Sequence, residues 1–260
     1  LPRWLDEALL ILSQMESRRW LAGAERAADL AAAGAACVTV VADREGDIYE
    51  DFACKPAQVE VLIRAGQDRA LGDGSLLFAR AQNLPEAGRM SVDLPAAPGR
   101  RARKMELALR FAEVEIARPA SRKGKAEFKV LPASVTLNLV EALEIDPPAD
   151  QPAAHWRLLT SHRIADAADA RRIVMFYRER WTIEQLFRTL KTKGFDVEAL
   201  RLAEGPFEKL VAASLIAAVT VLQLVRERDG TAKRPLEDAF DSEDRGALEA
   251  VSASLEGRTQ

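Results

Sequence analysis

The chain has 260 residues, 48% of them hydrophobic and 30% charged, a composition that supports a sizeable buried core and excludes a disordered polypeptide. Two cysteines, Cys37 and Cys54, cannot build a disulfide framework, and two histidines argue against a zinc centre. The net charge of −3 excludes wholesale basicity as the basis of any nucleic-acid contact.

Residues 4–33 are rich in Ala and Leu with interspersed Arg and Glu, and predict one or two helices closed by Gly34. Cys37-Val38-Thr39-Val40-Val41 then predicts a short strand buried on both faces and ending at Asp43. A helical turn or two is expected from Asp47, and 59–64 predicts a second strand. From about 75 to 160 the texture changes, with alternating segments at 107–116 and 135–143 between Gly and Pro punctuation, the pattern of antiparallel strands. Asp146-Pro147-Pro148 and Pro152 form a stiff connector, 156–160 a final strand, and after Ala167 the period is helical through about 227. No apolar run approaches the roughly 18 uninterrupted residues of a membrane span. The 210–225 stretch carries Ser214, Thr220 and Gln223 and reads as a buried helix. No signal-like start precedes the first charges, so a cytoplasmic location is expected.

Charge is unevenly spread. Arg100, Arg101, Arg103, Lys104, Arg110, Arg118, Arg122, Lys123, Lys125 and Lys129 crowd one stretch, while Glu237, Asp238, Asp241, Glu243 and Asp244 make the tail acidic. A locally basic surface fits an overall acidic protein, although such a run is also what a solvated face looks like.

Two segments carry chemistry. On a single helix turning about 100° per residue, Tyr177, Arg180, Glu184 and Lys191 fall within a stripe roughly 60° wide. A phenol, two cations and a carboxylate would project together, while Ile183, Leu186, Phe187 and Leu190 anchor an adjacent face. The bland alternative is an exposed helix with an Arg–Glu pair four residues apart. The second segment is Asp43-Arg44-Glu45-Gly46-Asp47, where an acid ends a buried strand, the place at which open α/β sheets put functional groups. Asp43 and Glu184 are hard oxygen ligands of the type that phosphodiester hydrolysis with divalent cations requires. Asp43 could equally cap the following turn.

Together these segments resemble the insertion-sequence-four family of DDE transposases. The helix reads Tyr-x2-Arg-x3-Glu-x6-Lys, and Asp43-Arg-Glu-Gly-Asp-Ile-Tyr49 is similar to the block around the family's second catalytic aspartate. The resemblance implies an α/β, RNase H-like catalytic core, lacking its first strands, interrupted by an inserted antiparallel β subdomain and followed by helices. Its divisions fall at 1–74 (core, first part), 75–160 (β insertion), 161–230 (core, catalytic helix and following helix) and 231–260 (start of a C-terminal region). Asp43 and Glu184 stand as the second and third carboxylates of a catalytic triad holding two Mg²⁺ or Mn²⁺ ions. Tyr177, Arg180 and Lys191 stand as phosphate-holding residues, Arg64 as a further phosphate clamp, Trp156 as the acceptor of a flipped base and Trp181 as a second aromatic near the same DNA hairpin.

The resemblance further implies cut-and-paste strand cleavage and strand transfer at transposon ends, a double-stranded DNA partner, a homodimer in the complete protein, no membrane association and a nucleoid-associated place in a bacterial cytoplasm. The first catalytic aspartate belongs on a strand upstream of the Asp43 block. Asp6 and Asp29, in helical surroundings, are poor substitutes, and the first residue is Leu. The chain is therefore expected to be an internal fragment, weakly folded alone and inactive. A non-catalytic DNA-binding remnant, or an inhibitor of the intact enzyme, is the alternative.

Overall fold

The computed structural model describes residues 18–94, 101–119, 130–192, 204–227 and 241–256. The chain forms two compact units, Leu1–Arg180 and Trp181–Gln260.

The first unit is mixed α/β. Helix α1 (Arg18–Ala32) ends through Gly34, whose φ of 102° is the left-handed conformation that closes helices. Strand β1 (Val38–Ala42) runs parallel to β2 (Val59–Arg64), with Val38 opposite Val59 and Ala42 opposite Ile63. A 3-10 turn (Arg44–Gly46) and helix α2 (Tyr49–Cys54) make the crossover. After α3 (Leu77–Gln82) come β3 (Gly88–Leu94), β4 (Arg103–Ala117), β5 (Ser134–Ile145) and β6 (His155–Thr160). Their antiparallel ladders bring β6 back beside β2, giving one six-stranded sheet in the order β1-β2-β6-β5-β4-β3. The alternating segments of 75–160 thus continue the sheet that β1 and β2 begin.

Both sheet faces are covered, because side chains alternate across each strand. On one face Val61, Ile63, Val114, Ile116, Leu137, Leu139 and Leu159 pack with Leu21 of α1, Tyr49 and Phe52 of α2, and Leu77 and Ala81 of α3. On the other, Leu62, Leu107, Leu109, Val140, Ala142 and Leu158 meet Ala170, Ile173, Val174 and Tyr177 of α4 (Ala167–Arg178). Each fully buried Leu, Ile or Val contributes about 1.5–3 kcal/mol relative to exposure. Asp166 caps α4, its Oδ1 accepting from the backbone N–H of Ala168 and Asp169 at 2.8 and 2.9 Å.

The segment 177–191, read from the sequence as one helix, is interrupted. Glu179 N–H donates to Phe176 O and Arg180 N–H to Tyr177 O, both at 3.1 Å. These i−3 bonds tighten and end the helix, and α5 (Trp181–Thr192) starts anew in the second unit. Tyr177 and Arg180 therefore do not share one continuous helix with Glu184 and Lys191.

The second unit contains α5, α6 (Glu204–Glu227), a 3-10 turn (Ser242–Asp244) and α7 (Arg245–Glu256), with α5 packed on α6. Helix α6 departs from the buried helix expected at 210–225. Ser214 and Ala218 are buried, but Ile216 is 70% and Val225 56% exposed. The Pro206–Val225 stretch, with mean hydropathy 1.7, is long and apolar enough to cross a membrane by length and composition. Its apolar residues surround the helix, so one packing partner covers only part of the circumference.

Three of the five cations of the basic stretch that are described are tied down, while Arg101 and Lys104 are exposed. Arg103 pairs with Glu144 at 2.8 Å, Arg110 with Glu141 at 3.0 Å, and Arg118 Nη1 donates to Leu131 O at 2.6 Å. Arg100, Arg122, Lys123, Lys125 and Lys129 lie outside the described residues, as does Asp6. Asp29 is a solvated acid on α1, 3.8 Å from Arg26.

Candidate catalytic site

Asp43 follows directly on β1, at the end of the parallel β1–β2 pair where both strands present their carboxyl termini. Its Oδ1 accepts from Glu45 N–H at 3.0 Å and so caps the 3-10 turn. Its Oδ2 lies 3.8 Å from Arg180 Nη1, and the carboxylate remains 44% exposed. Capping and ion pairing thus occupy different oxygens, and each retains lone-pair capacity for a cation. Arg180 reaches the site because the tightened end of α4 delivers it beside the strand terminus, its side chain 18% exposed.

Of the residues singled out in the sequence, the first unit brings Asp43 and Arg180 together and, separately, Trp156 and Tyr177. The rings of Trp156 and Tyr177 lie 5.9 Å apart at an interplanar angle of 59°. Tyr177 is buried beneath α4, while Trp156 is half-buried on β6, on the sheet face that α4 covers. Arg64 ends β2 and donates from Nη2 to His155 O at 2.9 Å, tying the end of β2 to β6. In the second unit Glu184 sits in the first turn of α5 and Lys191 in its last, seven residues and about two turns apart on one face. Both are exposed, and Trp181 is 48% exposed at the start of α5.

Two buried carboxylates that the sequence reading did not single out hold this region in shape. Asp47, 1% exposed, accepts from Gly66 N–H and Gln67 N–H at 2.8 and 2.9 Å and from Arg69 Nε at 2.7 Å. It fastens the loop after β2 to the turn after β1. Glu141, also 1% exposed, takes Arg110, His155 and Arg157 on its two oxygens at 3.0, 2.8 and 3.1 Å. Burial alone would raise its pKa, but the bonds and charges of His155, Arg110 and Arg157 prevail and lower it. The opposite case is Asp51 on α2. Burial, and then the neighbouring Glu50, push its carboxyl up to about 8. Its Oδ1 has no hydrogen-bond partner among the described residues.

A sequence model of the transposase DDE domain matches residues 38–220, well over half of the chain. The chain belongs to the DDE transposase family. The match begins on β1 and continues into α6, so it takes in the Asp43 turn, the whole sheet, α4 and α5. DDE transposases act on DNA and generally use divalent metal ions. The donor chemistry of this transposase domain suits such an ion: Asp43 is a hard, partly exposed carboxylate at a strand terminus. Mg²⁺ is commonly held by one or two carboxylates, with water and phosphate oxygens completing the shell. No group of three or more His, Cys, Asp or Glu side chains suited to a metal occurs among the described residues.

Proposed function

We propose that this transposase domain is the strand-cleaving part of a cut-and-paste enzyme of the insertion-sequence-four branch, built on an RNase H-like sheet, with Asp43 and Glu184 as ligands of two Mg²⁺ or Mn²⁺ ions. The observation that carries the reading is the Asp43–Arg180 pair at the carboxyl end of β1, inside a matched DDE domain. It joins one residue from each of the two sequence motifs. The Tyr-x2-Arg-x3-Glu-x6-Lys spacing supports the branch assignment.

When bound, the ions would activate the attacking oxygen and stabilise the leaving one. The protein groups around them have their own tasks. Arg180 holds a non-bridging phosphate oxygen beside Asp43, and its planar fork suits two-point recognition of phosphate. Arg64 and Lys191 supply further cations to the backbone. Trp156 and the exposed Trp181 offer aromatic surface to a base extruded near the transposon end, where stacking is worth about 1–3 kcal/mol per base. Tyr177, which the resemblance casts as a phosphate holder, is buried, and its role here is to support Trp156 through their ring contact. The DNA partner is double-stranded transposon-end DNA, and the complete protein works as a homodimer away from membranes.

Calorimetric titration of Mn²⁺ into the 260-residue chain tests the carboxylate assignment. Heat is expected for the wild type and its loss in both Asp43→Asn and Glu184→Gln, each retaining the wild-type circular dichroism. Equal heats in all three proteins would overturn it. Because the reading assigns two carboxylates of a triad to this chain, no Mg²⁺-dependent cleavage of transposon ends is expected from it alone. Nicking that vanishes in Glu184→Ala would refute that expectation.

A further inference from the structure

A pocket of about 400 Å³ opens where β2 ends and β6 begins, lined by Arg44, Arg64, Ala65, Gly66, Phe78, Ala153, His155 and Arg157. Three of these residues are arginines, and no carboxylate lines the pocket. His155 and Arg157 point to the α1–α3 face of the sheet, opposite Trp156.

The guanidinium groups are held in place by groups that do not consume them. Arg157 spends Nε on Glu141 at 3.1 Å and lies 4.2 Å above the Phe78 ring, leaving its two terminal nitrogens without a protein acceptor among the described residues. Arg64 spends one terminal nitrogen on His155 O. Arg44 forms no ion pair among the described residues, and Gly66 passes so close that an added Cβ would lie 3.1 Å from Arg44 Cβ and from its carbonyl oxygen. Asp47 fixes the Gly66 wall through two backbone hydrogen bonds. Both organising carboxylates, Asp47 and Glu141, are buried outside the pocket. Glu141 offsets part of the charge of Arg157, and with no acidic residue in the lining the positive charge left there favours an anion, while preset donors lower the ordering cost of binding one.

We propose that this pocket is a phosphate site, occupied by a backbone phosphodiester of DNA, with Arg44 and Arg157 as contacts additional to Arg64 and with Glu141 as the positioning residue for Arg157. The volume accommodates a phosphate and its sugar, within the usual range of about 300–1,000 Å³ for ligand pockets. The identity of the anion rests on the transposase reading; the site itself rests on the arginine geometry. The pocket grips a stretch of strand at the end of β2, with Arg157 reaching it from the sheet face opposite α4, through contacts that do not involve the ions at Asp43.

The test is fluorescence anisotropy of a short labelled duplex with the whole 260-residue chain in EDTA, between about 50 and about 200 mM KCl, where each phosphate contact contributes about 0.9 to the slope of log K against log salt. Arg44→Gln and Arg157→Gln are each expected to lower the slope by about one contact, whereas Arg157→Lys, which keeps the charge, restores it. Glu141→Gln is expected to weaken binding while the slope falls by less than in Arg157→Gln. A parallel arm follows thermal protection by inorganic phosphate, expected in the wild type and lost in Arg157→Gln. Slopes unchanged in both glutamine variants overturn the DNA assignment while leaving the metal-binding reading standing. Phosphate protection with unchanged slopes would make this a site for free phosphate and overturn it equally. An Arg157→Lys slope as low as that of Arg157→Gln would mean that the residue acts through folding and not through charge.

Discussion

Replacing Asp47 with alanine removes the acceptor that joins the turn after β1 to the loop after β2. The structure fixes what is lost. Arg69, 6% exposed, would keep its charge with Phe52 at 5.8 Å as neighbour but without the carboxylate 2.7 Å away. Gly66 and Gln67 are exposed, so water can satisfy their freed N–H groups and adds little to the cost. An uncompensated buried charge of this kind costs about 3–5 kcal/mol, a large share of the roughly 5–15 kcal/mol that holds a domain together. Urea unfolding followed by far-UV circular dichroism should show that loss for Asp47→Ala, with amide hydrogen exchange placing the loosening at 65–69. The pair Asp47→Ala and Arg69→Leu should recover most of it, because the charge leaves with its partner. A loss below about 1 kcal/mol for Asp47→Ala, or no recovery in the double variant, would refute the assignment of Asp47 as the clasp of this corner.

Asp51 should impose a pH dependence of the opposite kind to that of an ion-paired acid. Its folded-state pKa of about 8 exceeds its unfolded value of 3.8, so its contribution is fully present below about pH 4 and is lost as pH rises through about 8. Asp51→Asn should therefore raise the melting temperature relative to the wild type increasingly between those limits; parallel melting curves across that window would contradict the assignment. Gly46→Ala would place a Cβ 2.5 Å from Ala42 Cβ, and a clash of this kind costs about 1–3 kcal/mol. Since the turn also orients Asp43, Mn²⁺ heat should fall along with the denaturation midpoint. A fully stable variant would show that the turn moves freely.

Much of the first unit was legible because its strands are written in local patterns. The Val-rich run at β1, the alternation in β4 and β5, and Gly34 after α1 each act through near neighbours, and each element stands where its pattern put it. The helix break at Glu179–Arg180 was not legible. No Gly or Pro marks it, and two i−3 bonds interrupt the helix while the apolar period resumes in α5. Asp47 and Glu141 were missed because their partners lie far along the chain. Glu141, amid Leu139, Val140, Ala142 and Leu143, looks like the polar side of an alternating strand, yet Arg110, His155 and Arg157 come to it from two other strands. Of the candidate site, residue types and spacing marked Asp43 and Arg180 as chemically distinctive. Their approach depends on where α4 ends, which spacing alone does not reveal. Helix α6 was misjudged because apolar composition reports the need for cover and not its presence.

Strand β1 stands at one end of the sheet order, with β2 as its neighbour among the described residues. Val38, Thr39, Val40 and Val41 are only partly covered, where their apolar run predicts burial on both faces, because β1 borders the sheet; the β-branched side chains favour extended pairing. The outward-facing main chain of such a border is a template on which another copy of the polypeptide can zip. Overproduced alone, the protein should fail first by self-assembly along this seam, with insoluble bodies forming even when both sheet faces are properly packed.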